Sequence, residues 1–232
     1  MKILAVDTSS RTGSVAVLED EAVLAEIQVT STQTHAKRLM PAIDSALRMA
    51  GTHVSECDGF AVTTGPGSFT GLRIGISAVK GLAFATAKPV TAVSTLEALA
   101  YQFPTVADLI CPLLDARKGE VYTALYRCDH YMHWEKVAPD SAVDPRPWLM
   151  QIDHPCLFVG NGVDLYRNLI KEIAGRQARF APPYLNTVRA SVAAYIGAKQ
   201  IKRGQVADVG SLVPHYIRKS DAETKIEKRK VG

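Results

Sequence analysis

Apolar and polar positions alternate from the first residues. Ile3–Val6 is a continuous apolar run, Asp7–Gly13 is polar and turn-rich, and Ser14–Leu18 passes through the acidic turn Glu19-Asp20-Glu21 into Val23–Val29. The pattern predicts strand, turn, strand, strand. From about Gln33 to Met49 the period changes. Ala36, Leu39, Met40, Ile43, Leu47 and Ala50 fall on one helical stripe, and Gly51 stands where a helix would end. Pro41 lies inside that stripe and predicts a kink. A strand over Gly59–Thr63, the turn Gly65-Pro66-Gly67, a helix from about Ser68 to Ala87, a strand over Pro89–Val93 and a helix from about Ser94 to Gln102 complete the first half.

The second half restarts in the same way. Leu109–Leu114 is an apolar run ending in Asp115, followed by Ala-Arg-Lys-Gly119 and the alternating segment Glu120–Tyr126. Set beside Val6-Asp7 and the strand after Gly13, the shared plan is buried strand, aspartate, tight polar turn, glycine, outgoing strand. Such an echo implies two similar lobes facing each other across a cleft, with the aspartate turns at its floor. Pro139–Trp148 reads as a loop, Cys156–Val159 as a strand, Val163 onward and Ser191–Lys202 as helices, and Val213–Arg218 as a short extended segment. The expected division is an N-terminal lobe over 1–105, a C-terminal lobe over 106–218 and a basic tail over 219–232.

Composition changes little in this picture. An apolar content of 47%, a charged content of 22% and a mean hydropathy of +0.02 describe an ordinary globular chain. The formal charge of +4 owes much to the run Lys225–Lys230, which reads as a solvated terminus or as a weak, salt-sensitive contact for nucleic acid. No apolar run is long enough to cross a bilayer, and the opening Lys2-Ile3-Leu4-Ala5-Val6 reads as a strand rather than a leader, so a cytoplasmic setting is expected. Cys57, Cys111, Cys128 and Cys156 are widely spaced and suggest neither zinc nor disulfides. His130 and His133 lie in a hairpin loop without a third ligand nearby, and no histidine, carboxylate and hydroxyl form a triad. No catalytic residue and no metal site are expected.

Two stretches remain as candidate chemistry. Asp7-Thr8-Ser9-Ser10 ends a buried strand, where hydroxyls and N–H groups can cradle phosphate and an aspartate can hold hydrated magnesium. Neither this turn nor its counterpart at Asp115 is glycine-rich, so the alternative is that both aspartates cap their turns. Gly65-Pro-Gly-Ser-Phe-Thr-Gly71-Leu-Arg73-Ile-Gly75 is neither a P-loop nor a nucleophile elbow. Gly67, Gly71 and Gly75 are spaced by four and form one bare ridge on a helix, although each helical glycine costs about 1 kcal/mol. The ridge invites close approach of another backbone, either a partner's helix or one of the chain's own elements. Together with Gln33–Met49 it suggests a helix-on-helix docking surface.

Taken in order, Ile3-Leu-Ala-Val-Asp-Thr8, Thr34-His35-Ala-Lys-Arg-Leu-Met-Pro41, the glycine string Gly65–Gly75, Val93-Ser-Thr-Leu96 and Asp115-Ala-Arg-Lys-Gly-Glu-Val-Tyr122 resemble the TsaB (YeaZ) family. Beyond Tyr126 the anchors are Val159-Gly-Asn-Gly162 and Pro214-His-Tyr-Ile-Arg218. The resemblance implies a two-lobed α/β fold of the actin/Hsp70/sugar-kinase (ASKHA, ribonuclease H-like) type. It also implies a non-catalytic role beside TsaD, the subunit that transfers threonylcarbamoyl to adenosine in tRNAs reading codons that begin with A. The implied partners are a TsaD-type subunit, a TsaE-type ATPase and, for the chain alone, a second copy, with tRNA met only through the complex. The implied interface carries His35, Arg38, Leu39, Gly67, Phe69, Gly71, Arg73 and Gly75. Asp7, Thr8, Ser9 and Asp115 are then remnants of phosphate turns, with no cofactor beyond weak ATP or ADP at the shared interface. TsaD-type proteins carry an HxxxH metal pair on an N-lobe helix, whereas Ile76-Ser-Ala-Val-Lys-Gly-Leu here has no histidine. The competing reading is an active ATP-dependent kinase or acyltransferase using Asp7 and Asp115.

Overall fold

The computed structural model describes residues 1–104 and 109–218. The boundary expected at 105/106 and the tail expected over 219–232 lie outside the described residues. The first half runs β1 (Lys2–Asp7), β2 (Thr12–Glu19), β3 (Ala22–Thr30), α1 (His35–Met49), β4 (Gly59–Gly65), α2 (Phe69–Thr86), β5 (Val90–Ser94), α3 (Thr95–Ala100). The second runs β6 (Leu109–Arg117), β7 (Glu120–Cys128), β8 (Trp134–Val143), α4 (Pro145–Leu149), β9 (Cys156–Val159), α5 (Gly162–Ala174), β10 (Ala178–Phe180), α6 (Ala190–Lys202). Both halves spell β-β-β-α-β-α-β-α. Their sheets are ordered β3-β2-β1-β4-β5 and β10-β9-β6-β7-β8, the same order once renumbered within each half. In each, the first three strands form an antiparallel meander and the other two are parallel to the first. This is the duplicated, two-lobed arrangement expected for the actin-like and sugar-kinase-like superfold.

Burial on both faces explains the unbroken apolar runs. In β1, Ile3 and Ala5 face a core shared by the lobes, while Leu4 and Val6 face an outer core under α1 and α2. The stripe Leu39, Ile43, Ala46 and Leu47 of α1 and the stripe Leu72, Ile76, Val79 and Ala83 of α2 close that outer layer. In the C-lobe, α4 and α5 cover Leu113, Val121 and Phe158 in the same way. The helices ending each half build the middle. α3 packs on β6 and β7 as well as on its own sheet, and α6 packs on β1, β2, β4 and β5 of the N-lobe. Gly197 permits this approach, since a Cβ there would sit 2.6 Å from Ala61 Cβ and Thr91 Oγ1. The last helix among the described residues thus packs on the N-terminal sheet.

One expectation needs correction. Pro139–Trp148 is not a loop: β8 continues to Val143, and α4 starts after Asp144, whose carboxylate accepts from Arg146 N at 2.8 Å. β8 is an edge strand with register shifts opposite Thr123–Tyr126, and such a strand tolerates Pro139. α1 runs through Pro41 as one helix, with the proline exposed. Val213–Arg218 joins neither sheet.

Candidate functional site

The β1–β2 turn sits at the carboxyl end of β1, beside the carboxyl end of β4, where open α/β sheets usually bind ligands. Asp7 is fully buried; its Oδ1 accepts from Thr63 Oγ1 at 2.6 Å and from Ser9 N at 3.2 Å. Burial pushes its carboxyl above the ordinary carboxylate range, against the opposing pull of the Thr63 and Ser9 groups and of His35. Neither Asp7 Oδ2 nor Ser9 Oγ makes a well-aligned hydrogen bond among the described residues.

The glycine string closes over this turn. Ser68 caps α2 by accepting from Gly71 N at 3.2 Å, and Ser68 N donates to Ser9 O at 2.7 Å. Thr8 Oγ1 donates to Gly71 O at 2.7 Å. A Cβ would lie 2.4 Å from Ser9 O at Gly67, 2.0 Å from Thr8 O at Gly71 and 2.3 Å from Thr8 Oγ1 at Gly75. The ridge expected to receive a partner's helix is therefore filled by the chain's own turn. The close approach is real, but it is internal. It also turns the carbonyls of Thr8 and Ser9 toward α2.

Other residues expected at the interface also serve the fold. Leu39 is buried in the outer core. His35 Nε2 bonds Ser10 O at 2.7 Å, and Arg38 donates to Arg11 O and Val29 O, both at 2.6 Å, so the first turn of α1 clamps the same β1–β2 turn. Phe69 and Arg73 stay near the surface beside Tyr216: the rings of Phe69 and Tyr216 stack at 4.7 Å, and Arg73 Nε donates to Tyr216 Oη at 3.0 Å. Asp115 is exposed and accepts from Arg117 N at 2.7 Å, inside a turn where Arg117, Lys118 and Gly119 all have positive φ. Its carboxylate thus ties the two ends of the turn's first step together. Among the described residues no three His, Cys, Asp or Glu side chains cluster as metal ligands, and no helix is long and apolar enough to cross a membrane.

What α1 and α2 leave exposed is a different set of residues. Phe84 is 87% exposed and Met40 is 49% exposed, accompanied by exposed Pro41, Ser77, Gly81 and Ala85. The only charged residues of α2 are Arg73 and Lys80, and Lys80 is occupied with the carbonyls of Gly210 and Leu212. Arg73 on α2 and Lys37, Asp44 and Arg48 on α1 are exposed as well, so this outer face joins small and apolar residues with charged ones, as an interface with a polar rim does.

The family model described as "TsaD: tRNA N6-adenosine threonylcarbamoyltransferase" matches residues 23–226. The "tRNA threonylcarbamoyladenosine biosynthesis protein TsaB" of Bacillus subtilis is 37% identical over 234 residues, covering 99% of this chain and 100% of that protein. The structure of YeaZ from Pseudomonas aeruginosa superposes with a TM-score of 0.78 at 30% identity, covering 93% of this chain and 99% of that one. Component A of the (R)-2-hydroxyglutaryl-CoA dehydratase of Acidaminococcus fermentans, 12% identical with a TM-score of 0.53 over 87% of this chain and 99% of its own, shares the fold alone. By full-length sequence similarity and by structure, the chain belongs to the TsaB (YeaZ) family.

Proposed function

We propose that this chain acts in the biosynthesis of threonylcarbamoyladenosine in tRNA as a non-catalytic subunit, docking a TsaD-type transferase on the outer face of α1 and α2. One observation carries the reading. The glycine string packs on the Asp7–Ser10 turn from inside, and beyond Arg73 the same helix turns a small and apolar exposed face outward, Ser77, Gly81, Phe84 and Ala85. A kinase or acyltransferase working through Asp7 and Asp115 would need the first turn open to phosphate, and Asp7 is buried beneath α2. No cofactor is assigned to the chain by itself. A second copy competes for the same face when the transferase is absent, a TsaE-type ATPase joins the pair, and tRNA is reached through the assembly.

Phe84→Asp tests the reading, because Phe84 is almost free of intramolecular cover. An interface anchor of this size is worth about 2 kcal/mol or more, so the variant should bind the TsaD-type subunit at least about thirtyfold more weakly. Its melting temperature should stay that of the parent. Wild-type affinity in Phe84→Asp would remove α2 from the interface. Turnover of Mg-ATP by the purified chain that disappears in Asp7→Asn would restore the enzymatic reading.

A further inference from the structure

The segment Pro214-His-Tyr-Ile-Arg218 stands out in the sequence, yet the β1–β2 turn and the exposed helix face make no use of it. After α6 the chain stays on the N-lobe. Ala207 bridges to Val90 at the sheet edge, and Leu212 is buried in the outer core. Lys80 Nζ, in the second half of α2, donates to Gly210 O at 2.9 Å and Leu212 O at 3.2 Å. His215 N then donates to Thr64 O at 2.7 Å. The His215 carbonyl lies 2.6 Å from where a Cβ on Gly65 would stand, and Gly65 has φ +131°, so glycine is required there on both counts. Tyr216 stacks on Phe69 and accepts from Arg73, whose guanidinium carbon is 3.8 Å from the Phe69 ring centroid. Finally Arg218 crosses to the other lobe, donating to Ala116 O at 3.2 Å and to Glu120 Oε2 at 2.8 Å. Residues 207–218 thus follow α2 from its Lys80 turn back to its first turn and end on the β6–β7 turn.

We infer that residues 213–218 form a strap between the lobes in which Tyr216 and Arg218 are positioning residues for the partner-docking helix. The inference rests on the reading of the α1–α2 face given above. Both charged side chains of α2 are engaged by this stretch of chain, and its first turn is gripped on one side by Thr8–Ser9 and on the other by Tyr216. A helix end tied on both sides is already ordered when a partner arrives, which spares the ordering cost of binding. Cutting the strap at the C-lobe should loosen the start of α2 without opening either outer core. The C-lobe hairpin turn then influences docking from a distance.

The test is a charge swap between Arg218 and Glu120. Two readouts are taken: affinity for the TsaD-type subunit by calorimetry, and amide exchange of residues 68–73 in the isolated chain. Arg218→Glu should weaken binding about tenfold, the effect of roughly 1.4 kcal/mol of lost preorganisation, and should speed exchange in that turn. Arg218→Glu combined with Glu120→Arg should return both readouts most of the way to the parent. Parent-like affinity and exchange in Arg218→Glu overturn the inference. A loss that the second substitution does not repair also overturns it, since Arg218 would then act without the C-lobe. Phe84→Asp run alongside separates the two claims: it should weaken binding at least about thirtyfold with parent-like exchange at 68–73, and if it binds normally the docking face is wrong while the exchange readout still judges the strap.

Discussion

Gly71→Ala should destabilise the chain, whereas Gly81→Ala, ten residues further along the same helix, should stabilise it. At position 71 the new methyl would lie 2.0 Å from the Thr8 carbonyl oxygen, against an ordinary carbon–oxygen contact of about 3.3 Å. The obstacle is backbone, so α2 and the β1–β2 turn must part by more than an ångström or the helix must tilt. Overpacking of this kind costs about 1–3 kcal/mol, and the Thr8–Gly71 hydrogen bond of 2.7 Å contributes about 1 kcal/mol more. Exchanging glycine for alanine in a helix returns about 1 kcal/mol. The balance is a loss of about 1–3 kcal/mol, or a melting temperature lower by about 3–10 °C in a chain of this length. At Gly81, exposed and with nothing within 4 Å of an added Cβ, only the propensity gain remains. That variant should melt about 2–4 °C higher. Thermal unfolding followed by circular dichroism, with urea titration to confirm equal m-values, reads both. A Gly71→Ala variant as stable as the parent would show that α2 does not rest on the turn.

Asp7 gives a pH dependence of definite sign. Its folded-state carboxyl is raised by burial, so the native state holds this proton more tightly than the unfolded chain does, and the contribution to stability is lost as pH climbs from the ordinary aspartate range through the raised value. Asp7→Asn keeps an acceptor for Thr63 and removes the buried charge, so it should unfold at higher urea concentration than the parent at neutral pH, with the difference vanishing in acid. An unchanged or reduced midpoint at neutral pH would contradict this. Glu26→Ala should cost about 1–3 kcal/mol, because the largely buried carboxylate accepts from Ser191 N at 2.9 Å and Ser191 Oγ at 2.8 Å and pairs with Arg189. Urea unfolding measures the loss, and a cost near zero would mean that the start of α6 does not depend on β3.

The alternating runs and aspartate turns made the duplicated strand plan readable, because a strand buried on both faces must be apolar throughout. The helical stripes of α1 and α2 were equally plain. The glycine spacing showed that something packs unusually close to α2. Periodicity fixes a face of a helix but not what lies against it, and the occupant, Thr8–Ser9, is some sixty residues away in sequence. β8 was missed because an edge strand half open to solvent need not alternate cleanly, and Pro139 and Asp140 resemble loop chemistry. The start of α6 is capped by tertiary contacts, Ala190 N on Ser14 Oγ and Ser191 N on Glu26, which no local signal announces.

The account is tested most directly by mapping amide protection when the TsaD-type subunit binds. Protection should concentrate on the outer turns of α1 around Met40 and Pro41 and of α2 from Ser77 to Ala85, with α4 and α5 unchanged. Protection confined to the C-lobe helices, with α2 exchanging as in the free chain, would contradict it.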